Sequence, residues 1–217
     1  MRPHDPPTTS APQVTQAQKI EQLKQLSELK QAMRITDQMD DSLLRSSIDA
    51  ASRFIDGYCQ RSFTVAAGTS VRDYTPSGRY EALYIDDATD IVSVKIDDDL
   101  DYSFATTLRT DVDYQKEPLR PSRDGLPFPY YRLLPVEDGY WPTWMQRATV
   151  RVEATYGWES VPDSVNTACI LQASRLYTRF SSPVGVVSFG DMGAIRVSRF
   201  VDPDVELLLT PYRKLQF

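Results

Sequence analysis

Apolar side chains recur at two different periods along this chain, and the switch between them divides it. Over residues 15–33, Ile20, Leu23, Leu26, Leu29 and Met33 form a narrow stripe at helical spacing among Gln, Lys and Glu, which are good helix formers. Ser27, with Lys30 after it, leaves open whether this stretch is one helix or two, because a serine there can cap a second start. Residues 34–41 form a polar connection in which Asp40 or Asp41 supplies an N-cap oxygen. The next helix runs to about residue 60. Leu44, Ile48, Ala51, Ile55 and Tyr58 step by four and three, and Leu43, Phe54 and Cys59 widen the face. Gly57 lowers helix stability and predicts a close helix contact at that point.

A third helix begins at Pro162 and Asp163, residue types that suit a first helical turn. Val165, Cys169, Ala173, Leu176 and Phe180 recur along it, with Ala168, Ile170 and Tyr177 beside them, so its apolar face covers more than half the circumference and predicts a largely buried helix. Ser181, Ser182 and Pro183 stop it. Gly185, Gly190 and Gly193 then punctuate a loop that still carries Val186, Val187, Phe189, Met192 and Ile195. A loop that apolar predicts a covering partner. Further on, Asp202 and Pro203 begin a short leucine-rich helix that Pro211 ends or kinks.

Between residues 64 and 157 the period falls to two. Residues 92–96 and 148–154 alternate apolar and polar, and 71–74, 82–85, 112–115 and 131–134 are shorter candidates. Turn signals separate them: Pro76-Ser77-Gly78, Asp97–Asp99, Asp124-Gly125 and Asp138-Gly139. The prediction is an α+β fold in which a helical bundle built from 15–63 and 158–217 carries an inserted antiparallel β subdomain over 64–157. Residues 1–14, rich in Pro, Thr and Ser, form a tail predicted to be disordered.

Composition narrows the chemistry. The 217 residues carry a net charge of −6, which argues against gripping nucleic acid through its phosphates. The single histidine, His4, sits in the tail, so Ser-His-Asp and Cys-His catalysis and histidine metal sites fall away. Cys59 and Cys169 both lie on apolar helical faces and read as small hydrophobes. Asp97, Asp98, Asp99 and Asp101 lack the glycine and distal glutamate of an EF-hand and read as an Asp-rich hairpin tip; Asp86, Asp87 and Asp90 read as turn caps at a strand end. Tyr140, Trp141 and Trp144 read first as core. No run approaches the ~20 apolar residues of a membrane span. A soluble, non-enzymatic protein without cofactor or metal is expected, with no membrane partner.

Two blocks carry a resemblance. The first is residues 29–63, with Leu29-Lys30 before Arg34-Ile35-Thr36-Asp37, the Asp40-Asp41 start, paired Leu43-Leu44, Ala50-Ala51, and Tyr58-Cys59 before Arg61 and Phe63. The second holds Tyr156-Gly157-Trp158, Val161-Pro162, Ser182-Pro183, Gly185-Val186, Phe189-Gly190, Arg196-Val197-Ser198, Asp202-Pro203 and Tyr212-Arg213. In order and spacing these resemble the head–tail connector (adaptor) proteins of tailed bacteriophages, most of all an actinobacteriophage branch in which a β insertion separates the helical halves. The blocks cover somewhat under half the chain, and the helix before Leu23 lies outside the pattern.

The resemblance implies a virion protein of the head–tail neck, assembled in the host cytoplasm. It implies a homo-oligomeric ring, dodecameric in the family, docked beneath the portal. Such a ring extends the DNA channel, lets double-stranded DNA pass without specific binding, and seats the next tail-proximal neck protein, a stopper. A head-to-tail ring needs two different complementary patches per subunit. The candidate partner-binding residues are Val186, Val187, Phe189, Met192, Ile195, Arg196 and Arg199 in the glycine loop, and Tyr212, Arg213 and Phe217 in the C-terminal segment. Two rival readings are another neck ring protein (stopper or tail terminator), which the helical blocks disfavour, and a carbohydrate-binding or hydrolytic β module over 64–157.

Overall fold

The computed structural model describes residues 16–119, 122–123, 126–145, 147–181, 186–187, 195–196 and 202–214, with side chains over 25–119, 128–145, 147–180 and 202–214. The elements in order are α1 (Gln16–Met33), α2 (Asp41–Cys59), β1 (Thr69–Tyr74), β2 (Leu83–Ile96), β3 (Thr106–Leu108), β4 (Tyr114–Glu117), β5 (Ser122–Arg123), β6 (Leu126–Pro127), β7 (Tyr130–Pro135), β8 (Val150–Tyr156), α3 (Asp163–Ser181), β9 (Val186–Val187), β10 (Ile195–Arg196), α4 (Pro203–Leu209) and a 3-10 turn (Thr210–Tyr212). The fold is mixed α+β, and its sheet is antiparallel. The chain divides into two compact units, one of Met1–Ser52 with Cys169–Phe200, the other of Arg53–Ala168 with Val201–Phe217. The division falls inside α2 and α3 rather than at residues 63 and 157, and it assigns α4 to the sheet's unit.

In the helical unit, α1 is a single helix, and Ser27 lies exposed within it. Leu26 and Leu29 are buried at 6% and 0% exposure. Arg34, at φ 58°, closes the helix: the amide of Ile35 reaches back to the Lys30 carbonyl at 2.9 Å, and that of Arg34 to Gln31 at 3.2 Å. This left-handed cap satisfies carbonyls that a helix end otherwise leaves free. The Lys30 ammonium meets the Asp41 carboxylate at 2.6 Å, and the Tyr177 hydroxyl donates to Asp40 at 2.7 Å. Along α2 in this unit, Leu44, Ile48 and Ala51 are buried as their spacing predicts. The α3 face is buried only in part. Cys169 and Ala173 are buried and Leu176 is half-buried, but Phe180 is 61% exposed, so the apolar face predicted to be covered to its end opens to solvent over the last turn.

The second unit is organised by β2, whose 14 residues pair with β8 along one edge and with β7 and then β3 along the other. The strand order is β1-β8-β2-β7-β4. Register shifts between Ala88 and Asp90 and between Ile91 and Ser93 bend the strand and change which residues point inward. Strict alternation over 92–96 places Val92 inside; the second shift buries Ile91 instead and leaves Val92 56% exposed. β8 keeps the predicted alternation, with Val150, Val152, Ala154 and Tyr156 buried. These residues join Leu83, Ile85, Val94, Ile96, Tyr114, Leu133 and Trp141 in one core, and the Trp141 indole N–H donates to the Glu81 carbonyl at 2.9 Å. Fully burying a side chain of this size contributes roughly 1.5–3 kcal/mol. Among the described residues Gly57 has no atom within 4 Å of where a side chain would begin, so none of them makes the close helix contact expected there.

Candidate functional site

Three regions of the second unit hold its polar chemistry. The first lies where α2 ends. Gln60 takes φ 53°, and the Arg61 amide bonds back to the Asp56 carbonyl at 3.1 Å, the same left-handed closure that ends α1. This turn delivers Arg61 to Asp87 on β2, Nη1 to Oδ1 at 2.8 Å, with both side chains only 4% exposed. The guanidinium stands 4.8 Å from the Tyr131 ring centroid and 5.9 Å from Trp158, which favours a cation in place. The Lys214 ammonium reaches the same Oδ1 at 3.3 Å. Nε of Arg61 and Oδ2 of Asp87 are buried with no hydrogen-bond partner among the described residues.

A cleft of about 310 Å³ opens beside this pair, lined by Gln60, Thr64, Arg72, Asp86, Tyr156 and Lys214 among others. Arg72 meets Asp86 at 2.6 Å and lies 4.0 Å over the Tyr156 ring, and the Tyr74 hydroxyl donates to the same carboxylate at 3.0 Å. Burial alone would raise the Asp86 carboxyl, but the hydrogen bonds from Arg72 and Tyr74 outweigh it and hold the group below the usual carboxylate range. At the cleft floor Gly157 takes φ 121°, and a Cβ there would sit 2.6 Å from the Thr64 carbonyl oxygen. Only glycine fits that close approach. These groups form an ion-paired clasp. The reading of Asp86 and Asp87 as turn caps is overturned, because both lie inside β2 and pair with cations.

The second region is the C-terminal segment. Asp202 caps α4, accepting from the Asp204 amide at 2.9 Å with Pro203 at the first helical position, as predicted. The 3-10 turn after it sends Tyr212 inward at 1% exposure, against Phe63 (5.9 Å), Phe128 (5.7 Å) and Trp158 (6.0 Å). Arg213 stacks over Tyr58 at 4.8 Å, Tyr58 donates to Glu206 at 3.0 Å, and the Lys214 amide bonds to the Cys59 carbonyl at 3.0 Å. Tyr212 is therefore a core residue and cannot be the partner contact its sequence position predicts; aromatic packing against three rings accounts for it. Arg213 is exposed but already engaged with its own unit. Burial pushes the Cys59 thiol up to about 11, as for an inert core cysteine.

The third region is the acidic hairpin tip. Asp97 is buried and accepts the amides of Asp101 and Tyr102, each at 3.1 Å, while Arg147 meets it at 3.3 Å. An aspartate engaged in this way organises a turn, as its reading as a hairpin tip predicts. Among the described residues no group of His, Cys, Asp and Glu could hold a metal ion.

In the helical unit, the glycine-loop residues Val186 and Val187 pair with Arg196 and Ile195 as a two-stranded antiparallel ladder. Phe189, Met192, Arg199 and Phe217 lie outside the described residues. Sequence reasoning missed the Arg61–Asp87–Lys214 clasp. One signal was present: Leu83, Ile85 and Asp87 share an inward phase, and a carboxylate on that phase requires a buried cation.

The turn that positions Arg61 falls within a region of known type. The family model of the phage gp6-like head-tail connector protein matches residues 23–82. Residues 23–82 carry a phage gp6-like head–tail connector domain. This connector domain takes in the end of α1, all of α2, Arg61, Phe63 and β1. Two solved structures share the fold over most of the chain. One is a chain from the neck of an empty GTA particle with C6 symmetry, at 16% identity, covering 88% of this chain and 90% of that one with a TM-score of 0.51. Another comes from the virion of a native gene transfer agent (GTA) particle, at 17% identity, with coverage of 88% and 90% and a TM-score of 0.51. At such identity the likeness is one of fold, and it extends well past the connector domain. Among curated proteins none matches the sequence.

Proposed function

We propose that this protein is a neck protein of a phage-like particle, and within the neck the head-to-tail adaptor. The observation that carries this reading is the connector domain over residues 23–82. The fold shared with neck and virion chains of gene transfer agent particles supports it across most of the remaining length. In this role the subunits form a closed ring, a dodecamer, under the portal, with the helical segments bundled around its axis. The ring extends the DNA channel and seats a stopper on its tail side, and its subunits assemble in the host cytoplasm before joining the virion. Subunits joined head to tail use two unlike patches. The glycine loop is one, through Val186, Val187, Phe189, Met192, Ile195, Arg196 and Arg199, and Phe217 belongs to the contacts of the other. A net charge of −6 suits a wall along which DNA slides without sticking.

Electron microscopy of the purified protein mixed with its portal tests the proposal. The expected result is a ring capping the portal's outer face, and particles lacking the protein should accumulate as tail-less heads. A ring that binds only the tail side of an existing connector would reassign the chain to the stopper or terminator position.

A further inference from the structure

The cleft beside the clasp holds more positive charge than its carboxylates neutralise. Arg61, Arg72 and Lys214 line it against Asp86 and Asp87, three cations to two anions. Arg61 takes Asp87 at 2.8 Å, and Arg72 takes Asp86 at 2.6 Å. Lys214 is the surplus. It reaches the already neutralised Asp87 at 3.3 Å, and its side chain keeps 24% of its surface open. An ammonium has three donors, so this one retains capacity for an anion that enters the cleft. The exposed hydroxyls of Ser62 and Thr64, 2.8 Å apart, also line the space.

The far end of the same sheet has the opposite imbalance. Along the β2–β8 ladder Ala88 faces Tyr156 at the cleft, and Ile96 faces Val150 where the acidic hairpin tip follows. At the tip Arg147 neutralises Asp97, and Tyr140 donates to Asp98. Asp99 and Asp101 are exposed, and no cation pairs with either among the described residues. The amides of Asp101 and Tyr102 on Asp97 fix the tip in one shape before any partner arrives. Asp87 and Asp97 stand about 33 Å apart along the strand at a rise of ~3.3 Å per residue, so the tip cannot fold back into its own cleft. Cleft and tip belong to one compact unit, so their separation is fixed.

A sheet that is cationic at one end and anionic at the other is complementary to a copy of itself placed head to tail, and such a contact closes into a ring when its rotation permits. The net charge of −6 argues against a nucleic-acid polyanion in the same cleft. We infer that the cleft receives the acidic hairpin tip, residues 98–101, of a second copy of this chain, with Lys214 on the Asp99 carboxylate. This rests on the ring reading for the neighbour's presence. It is a contact separate from the glycine-loop patch.

Carbodiimide coupling joins an ammonium to a carboxylate without a spacer, and it is applied to an equal mixture of light and heavy full-length chains. An amide between Lys214 of one isotope and residues 98–101 of the other is expected. No such amide at any protein concentration, or amides from Lys214 only to other carboxylates, overturns the inference. A short DNA duplex that binds the wild-type chain but not Lys214→Gln gives the cleft to phosphate and overturns it as well. Sedimentation then reads self-association of Lys214→Gln, Asp99→Asn and the double variant. Asp99→Asn alters an exposed side chain, so it stays informative even where Lys214→Gln, which removes a partner of Asp87, lowers the urea midpoint. Each single change should weaken association roughly fivefold, and the double should be no weaker than the weaker single. No weakening from Asp99→Asn, or losses that simply add, overturns the pairing. Closed rings without the Lys214–tip amide sink the inference and spare the ring; the amide in assemblies that never close sinks the ring and spares the contact.

Discussion

Asp87→Asn should be among the most destabilising single-atom-scale changes available in this chain. Among the described residues Asp87 is the carboxylate that Arg61 and Lys214 share, at 2.8 and 3.3 Å. Arg61 is 4% exposed and fixed between two rings, so it cannot turn to solvent when the charge opposite is lost. Removing one partner of a buried pair costs about 3–5 kcal/mol, because the remaining charge is left desolvated. Arg61→Met should cost less, about 2–3 kcal/mol, since Lys214, itself 24% exposed, still neutralises Asp87. The pair is incompletely hydrogen-bonded at Arg61 Nε and Asp87 Oδ2, so an apolar replacement forfeits little. Arg61→Met with Asp87→Leu should therefore be milder than Asp87→Asn alone. Urea unfolding followed by circular dichroism reads all four proteins. With a slope near ~2 kcal/mol/M, Asp87→Asn lowers the midpoint by about 1.5–2.5 M. A drop under about 0.5 M for Asp87→Asn, or an Arg61→Met/Asp87→Leu protein at least as destabilised as Asp87→Asn alone, would show that the buried pair carries no such coupling.

Other expectations follow from the same geometry. Gly157→Ala should cost about 1–3 kcal/mol in the same assay, because φ 121° and the Thr64 carbonyl leave no room for a Cβ; an unchanged midpoint would mean the cleft floor is pliable. The Asp86 carboxyl is held low in the folded protein, so the contribution of the Arg72–Asp86–Tyr74 clasp is present above the unfolded carboxylate value of about 3.9 and lost as pH falls through the lower folded value. Asp86→Asn should flatten that part of the acid dependence of the midpoint, and parallel curves for the two proteins would remove the clasp from the account. Phe189→Asp should leave the urea midpoint of the purified protein unchanged while excluding it from particles, scored by tail joining; normal incorporation would take the glycine loop out of the assembly interface.

What was legible in the sequence followed from how local each cause is. The α2 face of Leu44, Ile48, Ala51 and Ile55 and the β8 alternation of Val150, Val152 and Ala154 were legible because burial on one side writes a fixed period into the chain. The Asp202–Pro203 start of α4 was legible for a similar reason, the cap and its target lying two residues apart. Val92 was misplaced because a bulge changes the phase of a strand without changing its composition. Phe180 was misplaced because helical spacing says which residues share a face and nothing about how far a neighbour covers it. The Arg61–Asp87–Lys214 clasp and the inward turn of Tyr212 were out of reach, since they join α2, β2 and the last described residues across most of the chain. For the same reason Tyr212 and Arg213 looked like a free tail when they are the seam of the sheet's own unit. The connector resemblance was legible from spacing over 29–63, within the region the family model matches.

That seam also bears on when the protein becomes a protein. Phe63 and Tyr212 pack together, but 149 residues separate them in the chain. On a ribosome moving at roughly 5–20 residues per second, Phe63 waits about 7–30 s and Trp158 about 3–11 s for the residue that seals them. A nascent or prematurely ended chain thus shows an unfilled aromatic socket in place of a finished surface. Proteases and chaperones read that kind of apolar exposure, so a chain that ends before Tyr212 is marked for removal while a finished one is not.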